Sequence, residues 1–225
     1  MSDQLEAVLF DVDGTLMDTN YWHVVAWDRA FAEHGVPQPA WRLHAAIGMG
    51  GDRLVAAVAG DEIEQRLGDD VRAAWKRIYD EYLYRTRAFD GAQELLERTH
   101  EAGLTVVLAS SGNPQHLDYA REQLGPDKYF DHVLSGEDVE ASKPAADLFA
   151  LALQKVGLEP AAAHRVVVVG DTRWDVESAR ALGIDTVGLL CGGRAACELR
   201  EAGAVETYDD PAQLVERFGS SPLGR

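Results

Sequence analysis

The chain has 225 residues, of which 46% are hydrophobic and 26% are charged, and its formal net charge is −17 at pH 7. This length and composition are typical of one globular domain, with or without an insertion, and they exclude collagen-like, disordered and disulfide-scaffold proteins. Because so acidic a protein repels phosphate backbones and anionic lipid headgroups, we expect it to bind neither nucleic acid nor membrane surfaces.

The N-terminal segment is acidic, and its apolar run, AVLF at residues 7–10, is too short for a signal peptide. No other apolar stretch approaches the length that is needed to span a bilayer. We therefore expect the protein to reside in the cytoplasm.

Short, continuously apolar runs such as AVLF at residues 7–10 indicate strands that are covered on both faces, as in a parallel sheet. Four clear runs and a weaker one at 132–134 predict strands at residues 7–10, 104–109, 132–134, 166–169 and 186–190. Helical periodicity between them predicts helices at 92–100, 149–156 and 175–182, the last ending at Gly183. From about residue 90 helices and strands alternate, which is typical of a doubly wound, Rossmann-like α/β fold.

The segment at 18–87 interrupts this alternation, because it has helical periodicity and no convincing strand. A stretch of this length is too long for a loop. We predict an α/β catalytic core formed by residues 1–17 and 88–225, with residues 18–87 inserted as a helical cap. The tail at 219–225 is expected to fray.

The first strand is followed directly by Asp11-Val12-Asp13-Gly14-Thr15. In open α/β sheets the active site lies beyond the carboxyl ends of the strands, and residues two apart in extended chain point to the same side. Asp11 and Asp13 are therefore predicted to face one site. Two alternatives are a calcium loop, for which the glycine comes too early, and a helix N-cap with solvated aspartates.

Polar residues also follow the later strands. Ser110 and Ser111 come after the second clear strand, Lys143 follows the weaker one, and Asp171 and Asp175 follow the run VVVV. Taken singly, each has a structural explanation: an N-cap serine, a surface lysine, or acidic charge at a helix N-terminus. Because the sheet brings these strand ends to one edge, we expect the side chains to converge.

In this order and at these positions, the motifs resemble those of the haloacid dehalogenase-like hydrolase superfamily. Within it, they are similar to the branch of phosphatases and β-phosphoglucomutase-like enzymes that carry a helical cap after the first motif. The resemblance extends from residue 8 to about residue 218. It implies that Asp11 is the nucleophile that forms an aspartyl-phosphate and that Asp13 is the general acid/base. Dehalogenases of the superfamily lack an acid at the position of Asp13, so this residue favours phosphoryl chemistry.

The resemblance also implies a Mg²⁺ cofactor held by Asp11, the backbone carbonyl of Asp13, and Asp171. Asp175 would contact the ion less directly, through water or through another ligand. A cation is physically required, because an attacking carboxylate and a phosphate dianion repel each other. Oxygen ligands favour a hard ion such as Mg²⁺.

In the same family pattern, Ser110, Ser111 and Lys143 bind the transferring phosphoryl group, with Lys143 supplying compact positive charge.

Candidate substrate-binding residues in the cap are His23 and the glycine-rich stretch with Gly50, Gly51 and Arg53. His23 either reaches the cleft or packs in its helix beside Trp27. Mutases of the branch typically place an arginine in the glycine-rich loop, whereas Arg53 is displaced by about two positions.

The leading hypothesis is therefore a Mg²⁺-dependent phosphatase that acts on a small phosphorylated metabolite. The alternatives are a sugar phosphomutase and a catalytically silent binding protein of the same fold. We expect a monomer or a weak homodimer whose partner is a small-molecule phosphate ester. The sequence does not name that ester.

Overall fold

The computed structural model describes residues 4–139, 143 and 145–225. Its described strands form one six-stranded parallel sheet in the order β3-β2-β1-β4-β5-β6. The strands are β1 (Ala7–Phe10), β2 (Thr105–Ala109), β3 (His132–Leu134), β4 (Val166–Gly170), β5 (Asp185–Leu189) and β6 (Glu206–Tyr208). With helices flanking the sheet, this arrangement confirms the predicted doubly wound α/β class.

The central strand β1 is buried along its whole length and pairs with β2 on one side and β4 on the other. The register places Phe10 opposite Leu108 of β2 and opposite Val169 of β4. The three strands therefore end at nearly the same level. Residues that immediately follow them emerge side by side at the carboxyl edge of the sheet.

Helices α1 to α4 follow β1 along the chain and precede α5 (Ala92–Glu101) and β2. They are α1 (Asn20–Glu33), α2 (Ala40–Ala46), α3 (Gly51–Ala59) and α4 (Asp61–Asp80). They share a hydrophobic cluster of their own, which includes Phe31, Val71 and Ile78, each fully buried. The residues that we predicted to form the cap are therefore helical and packed around a separate apolar centre. The exact domain boundaries stay a prediction.

The remaining helices cover the sheet and separate its strands along the chain. They are α5 (Ala92–Glu101), α6 (Pro114–Leu124), α7 (Asp147–Lys155), α8 (Arg173–Ala181), α9 (Ala196–Ala202) and α10 (Pro211–Glu216). Two apolar clusters, one on each face of the sheet, contain alternate residues of β1, such as Val8 and Phe10 on one face and Leu9 on the other.

Besides shifts of one or two residues at the ends of other elements, the structure departs from the sequence predictions at three places. Helix α8 begins at Arg173 rather than at residue 175, because Thr172 caps it and accepts a hydrogen bond from the Asp175 amide. Strand β6 was not predicted, because its three residues, Glu206-Thr207-Tyr208, do not form an apolar run. The tail is packed rather than frayed, with Ser221 and Leu223 buried.

In the part of the chain that the structure describes, no helix combines the length and apolar character needed to cross a membrane.

We expect Ile78→Ala to lower the free energy of unfolding by roughly 2–5 kcal/mol, because it opens a cavity in the apolar cluster of α1 to α4. Denaturant unfolding followed by circular dichroism measures the loss. The control is Val25→Ala, since Val25 is exposed on α1; its effect should stay within about 0.5 kcal/mol. Equal losses in the two variants would contradict the role of Ile78 in this cluster.

Candidate active site

Asp11 and Lys143 form a buried ion pair at the carboxyl end of β1. The Lys143 Nζ lies 2.5 Å from Asp11 Oδ1, and the two residues are 1% and 5% exposed. Lys143 also lies over the ring of Phe149, with Nζ 5.2 Å from the ring centroid. Burial opposes the charge on Lys143, but Asp11 and Asp175 outweigh it and raise the pKa of the lysine above its ordinary value. Lys143 is therefore held as a cation inside the protein.

Asp171, which directly follows β4, faces Asp11 across the gap between the two strands. Thr15 bridges them, because its hydroxyl lies 3.0 Å from Asp11 Oδ2 and 3.1 Å from Asp171 Oδ1. The Asn20 amide donates to Asp171 Oδ2 over 2.7 Å and also contacts the carbonyl of Gly192. Asp171 is thus oriented from the first turn of the cap and from the loop after β5.

Two glycines, Gly14 and Gly192, leave the space that the side chains of Asn20 and Asp171 occupy. Gly14 has a φ of +80°, and a Cβ there would collide with the Asn20 side chain. A Cβ on Gly192 would overlap the Asp171 carboxylate. Any larger residue at either position would displace a side chain that holds or forms the site.

Asp175 is the second partner of Lys143. Its Oδ1 lies 2.6 Å from Lys143 Nζ, and its Oδ2 accepts hydrogen bonds from the amide and the hydroxyl of Thr172, at the start of α8. Asp175 therefore has both a structural and a functional role. One of its oxygens stabilises the start of α8, and the other pairs with Lys143 of the site.

The three carboxylates form an oxygen-only cluster that suits a hard divalent cation. Asp11, Asp171 and Asp175 are buried and offer ligand atoms that all lie within 4.8 Å of one another. Lys143 balances only one of the three negative charges. Burial raises the pKa of Asp11 to about 7, with Asp175 and Asp13 adding to the rise and Lys143 opposing it. Burial and the neighbouring carboxylates also raise the pKa of Asp171 well above its ordinary value. The cluster needs further positive charge to stay ionised, and the donor set fits Mg²⁺.

Asp13 lies on the open side of the same cluster. Its Oδ2 accepts a hydrogen bond of 3.0 Å from Ser110 Oγ, and its Oδ1 lies 3.3 Å from His23 Nε2. Burial opposes ionisation of Asp13, but the contacts with His23, Thr19 and Ser110 outweigh it and hold the pKa of Asp13 well below its ordinary value. The two aspartates of the first motif thus occupy opposite electrostatic environments.

His23 combines the two roles that the sequence left open. Its ring stacks on Tyr79 with centroids 4.0 Å apart, and a second ring, that of Trp75, lies beside it. The same ring reaches Asp13 through Nε2. The histidine is therefore both packed in the cap and directed at the core.

A cavity lies between the cap and the carboxyl edge of the sheet. Core residues that line it include Asp11, Asp13 and Ser111, and the cap contributes His23 with the glycines Gly50 and Gly51 among others. The Ser111 hydroxyl is buried and has no hydrogen-bond partner, so it is available to an oxygen of a bound group.

Arg53 is not brought to this cavity. It lies on α3, partly exposed, and pairs with Asp52 over 3.8 Å. Ser110, in contrast, is buried and contacts Asp13 directly. The structure thus brings together every predicted residue of the core motifs and separates one of the predicted cap residues from them.

Several site residues were missing from the sequence prediction. Thr15 and Asn20 hold the carboxylates, and the rings of Trp27 and Trp75 line the cavity. Thr15 was within the first motif, so its position signalled a role. No pattern distinguished the two tryptophans from ordinary core residues of an amphipathic helix.

The chain was compared with known families, curated proteins and solved structures. A family model described as haloacid dehalogenase-like hydrolase matches residues 5–183. A phosphorylated carbohydrates phosphatase of Thermotoga maritima is 31% identical over 208 residues, covering 89% of this chain and 93% of that protein. A phosphoglycolate phosphatase of Haemophilus influenzae is 30% identical over 226 residues, covering 96% and 99%.

The crystal structure of a hydrolase from Pseudomonas syringae is 31% identical and matches with a TM-score of 0.88, covering 96% of this chain and 98% of that chain. The fold, the order of the site motifs and these matches agree. They confirm the predicted enzyme class, a hydrolase of phosphate monoesters. The chain belongs to the haloacid dehalogenase-like hydrolase family.

Proposed function

We propose that this chain is a Mg²⁺-dependent phosphatase that hydrolyses a small phosphorylated metabolite through an aspartyl-phosphate on Asp11. The observation that carries the proposal is the convergence of Asp11, Lys143 and Asp171 at one edge of the sheet, with Asp13 beside them. The matched relatives that are named phosphatases support the same reaction class.

In the first step Asp11 attacks the phosphorus of the ester, and the bond from phosphorus to the leaving oxygen breaks. Asp13 gives its proton to that oxygen, so that an alcohol departs. The negative charge of the phosphoryl group raises the affinity of Asp13 for this proton. Lys143 pairs with Asp11 from within the protein, and Ser110 and Ser111 supply hydroxyl groups for the phosphoryl oxygens.

In the second step Asp13 takes a proton from water, and the oxygen of that water attacks the phosphorus of the aspartyl-phosphate. The bond between phosphorus and the Asp11 oxygen breaks, and inorganic phosphate leaves. Asp11 returns as a carboxylate, and Asp13 is again protonated for the next cycle.

Asp11, Asp171 and the backbone carbonyl of Asp13 would hold Mg²⁺. Asp175, which pairs with Lys143, would contact the ion less directly. When bound, the ion supplies positive charge that offsets the repulsion between the carboxylates and the phosphate. The excess of buried carboxylates over Lys143 supports this assignment.

Substrate entry requires the cap to move away from the sheet. The two chain segments that join cap and core run side by side, with Met17 and Ala88 in an antiparallel bridge and the Asp18 amide donating to the Arg87 carbonyl over 2.8 Å. We infer that these paired segments, which contain the predicted boundaries at 17/18 and 87/88, are the hinge.

A phosphomutase has to bind a second phosphate group. No lysine or arginine is among the described residues that line the cavity, and Arg53 lies outside it. The cavity therefore supports hydrolysis rather than mutase chemistry. A cytoplasmic location and a monomeric or weakly dimeric state stay predictions.

Asp11→Asn is expected to abolish phosphate release, because an amide does not attack phosphorus as a carboxylate does. Its melting temperature should stay near that of the wild type or rise, since one repulsive buried charge is removed. Phosphate release from an aryl phosphate and thermal melting test the two expectations. Turnover at the wild-type rate would overturn the assignment of the nucleophile.

Asp13→Asn separates the two chemical steps. With p-nitrophenyl phosphate the leaving group departs without a proton, so the variant should release one p-nitrophenolate per enzyme and retain the phosphoryl group. Steady-state turnover should fall roughly 10²–10⁴-fold, because no base activates water. Stopped-flow absorbance and intact-protein mass spectrometry measure the burst and the retained group. A slow, burst-free reaction with no phosphoryl group retained would contradict the role of Asp13 as base.

Magnesium is expected to stabilise the protein as well as activate it. At a hundredfold excess over its Kd the ion should raise the melting temperature by roughly 5–10 °C. Asp171→Asn should lose most of that rise, whereas the matched control Asp69→Asn, at a fully exposed carboxylate, should keep it. Chelation of the metal should abolish turnover, and addition of Mg²⁺ should restore it. An identical Mg²⁺-induced rise in the Asp171→Asn variant would exclude Asp171 as a ligand.

A further inference from the structure

The cavity beside Asp11 is bounded by both the cap and the core. On one side the His116 ring of α6 lies 2.7 Å from Asp80 at the end of α4. On the other, Arg194 donates over 2.5 Å to the carbonyl of His44 in α2. The cap is therefore seated on the sheet at both ends of the cavity. Whatever is attached to the phosphoryl group must fit the cap wall.

That wall is apolar. It consists of the rings of Trp27 and Trp75, the side chains of Ile47 and Met49, and the glycine-rich backbone that follows. Trp27 and Trp75 are stacked with their centroids 4.9 Å apart and an interplanar angle of 13°, so each ring covers one face of the other and holds it in place. The Trp75 indole nitrogen is buried without a hydrogen-bond partner.

Two basic residues of the cap, Arg72 and Lys76, are paired with residues outside the cavity lining or with backbone. Arg72, the basic residue that packs against Gly51, donates to Glu64 over 2.9 Å, to Asp69 over 2.8 Å and to the Gly51 carbonyl. Lys76 pairs with Asp80 over 3.2 Å. Among the described residues that line the cavity there is no lysine or arginine.

His23 is the remaining ring in the lining that is able to carry positive charge. Its Nε2 faces Asp13, so a proton on it would be matched by that carboxylate. An anionic leaving group would therefore meet the carboxylates of Asp11 and Asp13 without a cation of its own. Bringing such a charge out of water without a partner is strongly unfavourable.

We propose that the substrate is the phosphate monoester of a neutral alcohol with a flat apolar face, such as the ring of a sugar, and that esters of carboxylate-bearing alcohols are rejected. The proposal rests on the proposed phosphatase function and defines the substrate class of that site. The apolar wall of the cap accepts the C–H face of the ring, while Lys143 and the metal site serve only the phosphoryl end.

A matched pair of substrates tests whether a carboxylate on the alcohol is rejected. Glycerol 3-phosphate and 3-phosphoglycerate differ in one terminal group, a neutral hydroxymethyl against a carboxylate. We expect kcat/KM to be on the order of a hundredfold higher for the neutral ester. Glucose 6-phosphate should exceed glycerol 3-phosphate in kcat/KM, because only the former has a ring to cover the apolar wall of the cap. Phosphoglycolate should be as poor as 3-phosphoglycerate.

Met49→Lys should reverse part of this preference by placing a cation on the cap wall. We expect its kcat/KM for 3-phosphoglycerate, relative to that for glycerol 3-phosphate, to rise about tenfold or more over the wild-type ratio. Met49→Gln has similar length and no charge, and its ratio should stay near that of the wild type. Thermal melting establishes that both variants fold, and the wild-type ratios test the proposal without either of them.

Acetyl phosphate separates this proposal from the function on which it rests, because it transfers a phosphoryl group without an alcohol to recognise. If acetyl phosphate is hydrolysed and the carboxylate-bearing esters are turned over as well as the neutral ones, the substrate class is wrong and the phosphatase function stands. If neither acetyl phosphate nor any ester is hydrolysed in the presence of Mg²⁺, the function itself fails.

Discussion

The structure depends on the compensation of buried negative charge. Asp11, Asp171 and Asp175 lie close together beside a single lysine, Lys143. All three are buried so deeply that water does not screen their charges. An uncompensated carboxylate inside a protein is costly, and breaking one partner of a buried pair costs more than the pair contributes. The protein therefore holds at this edge of the sheet an arrangement that is poor for stability by itself. It becomes favourable when further positive charge is present.

Hydrogen-bond donors around the cluster hold its carboxylates in place despite their mutual repulsion. Thr15 and Asn20 donate to Asp171 and limit the directions in which the carboxylates can turn away from each other. Thr172 does the same for Asp175 by capping α8. Each hydrogen bond to a charged oxygen favours the ionised form. The orientation of the cluster is thus built in before any ion or substrate arrives, which is the condition for electrostatic catalysis.

Core and cap divide the work along chemical lines. In the proposed mechanism the core supplies carboxylates, hydroxyls and Lys143 to the phosphoryl group, and the cap presents rings and backbone to the leaving group. His23 is the point where the two meet, since it is stacked on Tyr79 in the cap and contacts Asp13 in the core. A substitution in the cap wall can therefore alter which alcohol is accepted without changing the residues that bind the phosphoryl group. A movement of the cap, in contrast, changes the contact between His23 and Asp13.

The sequence by itself determined the fold class and the core of the site, because both follow from local signals. Buried strands such as β1 and β4 are continuous apolar runs, and the residues of a motif that directly follows a strand have to emerge at the carboxyl edge of the sheet. Strand β6 was not predicted because its residues, Glu206-Thr207-Tyr208, do not form an apolar run, and the start of α8 was misplaced because capping by Thr172 is a matter of geometry. Only the tertiary structure decided which cap residues face the site. Trp75 lines the cavity and Arg53 does not, although both lie on amphipathic helices, because the rotation and docking of each helix depend on contacts between segments that are distant along the chain.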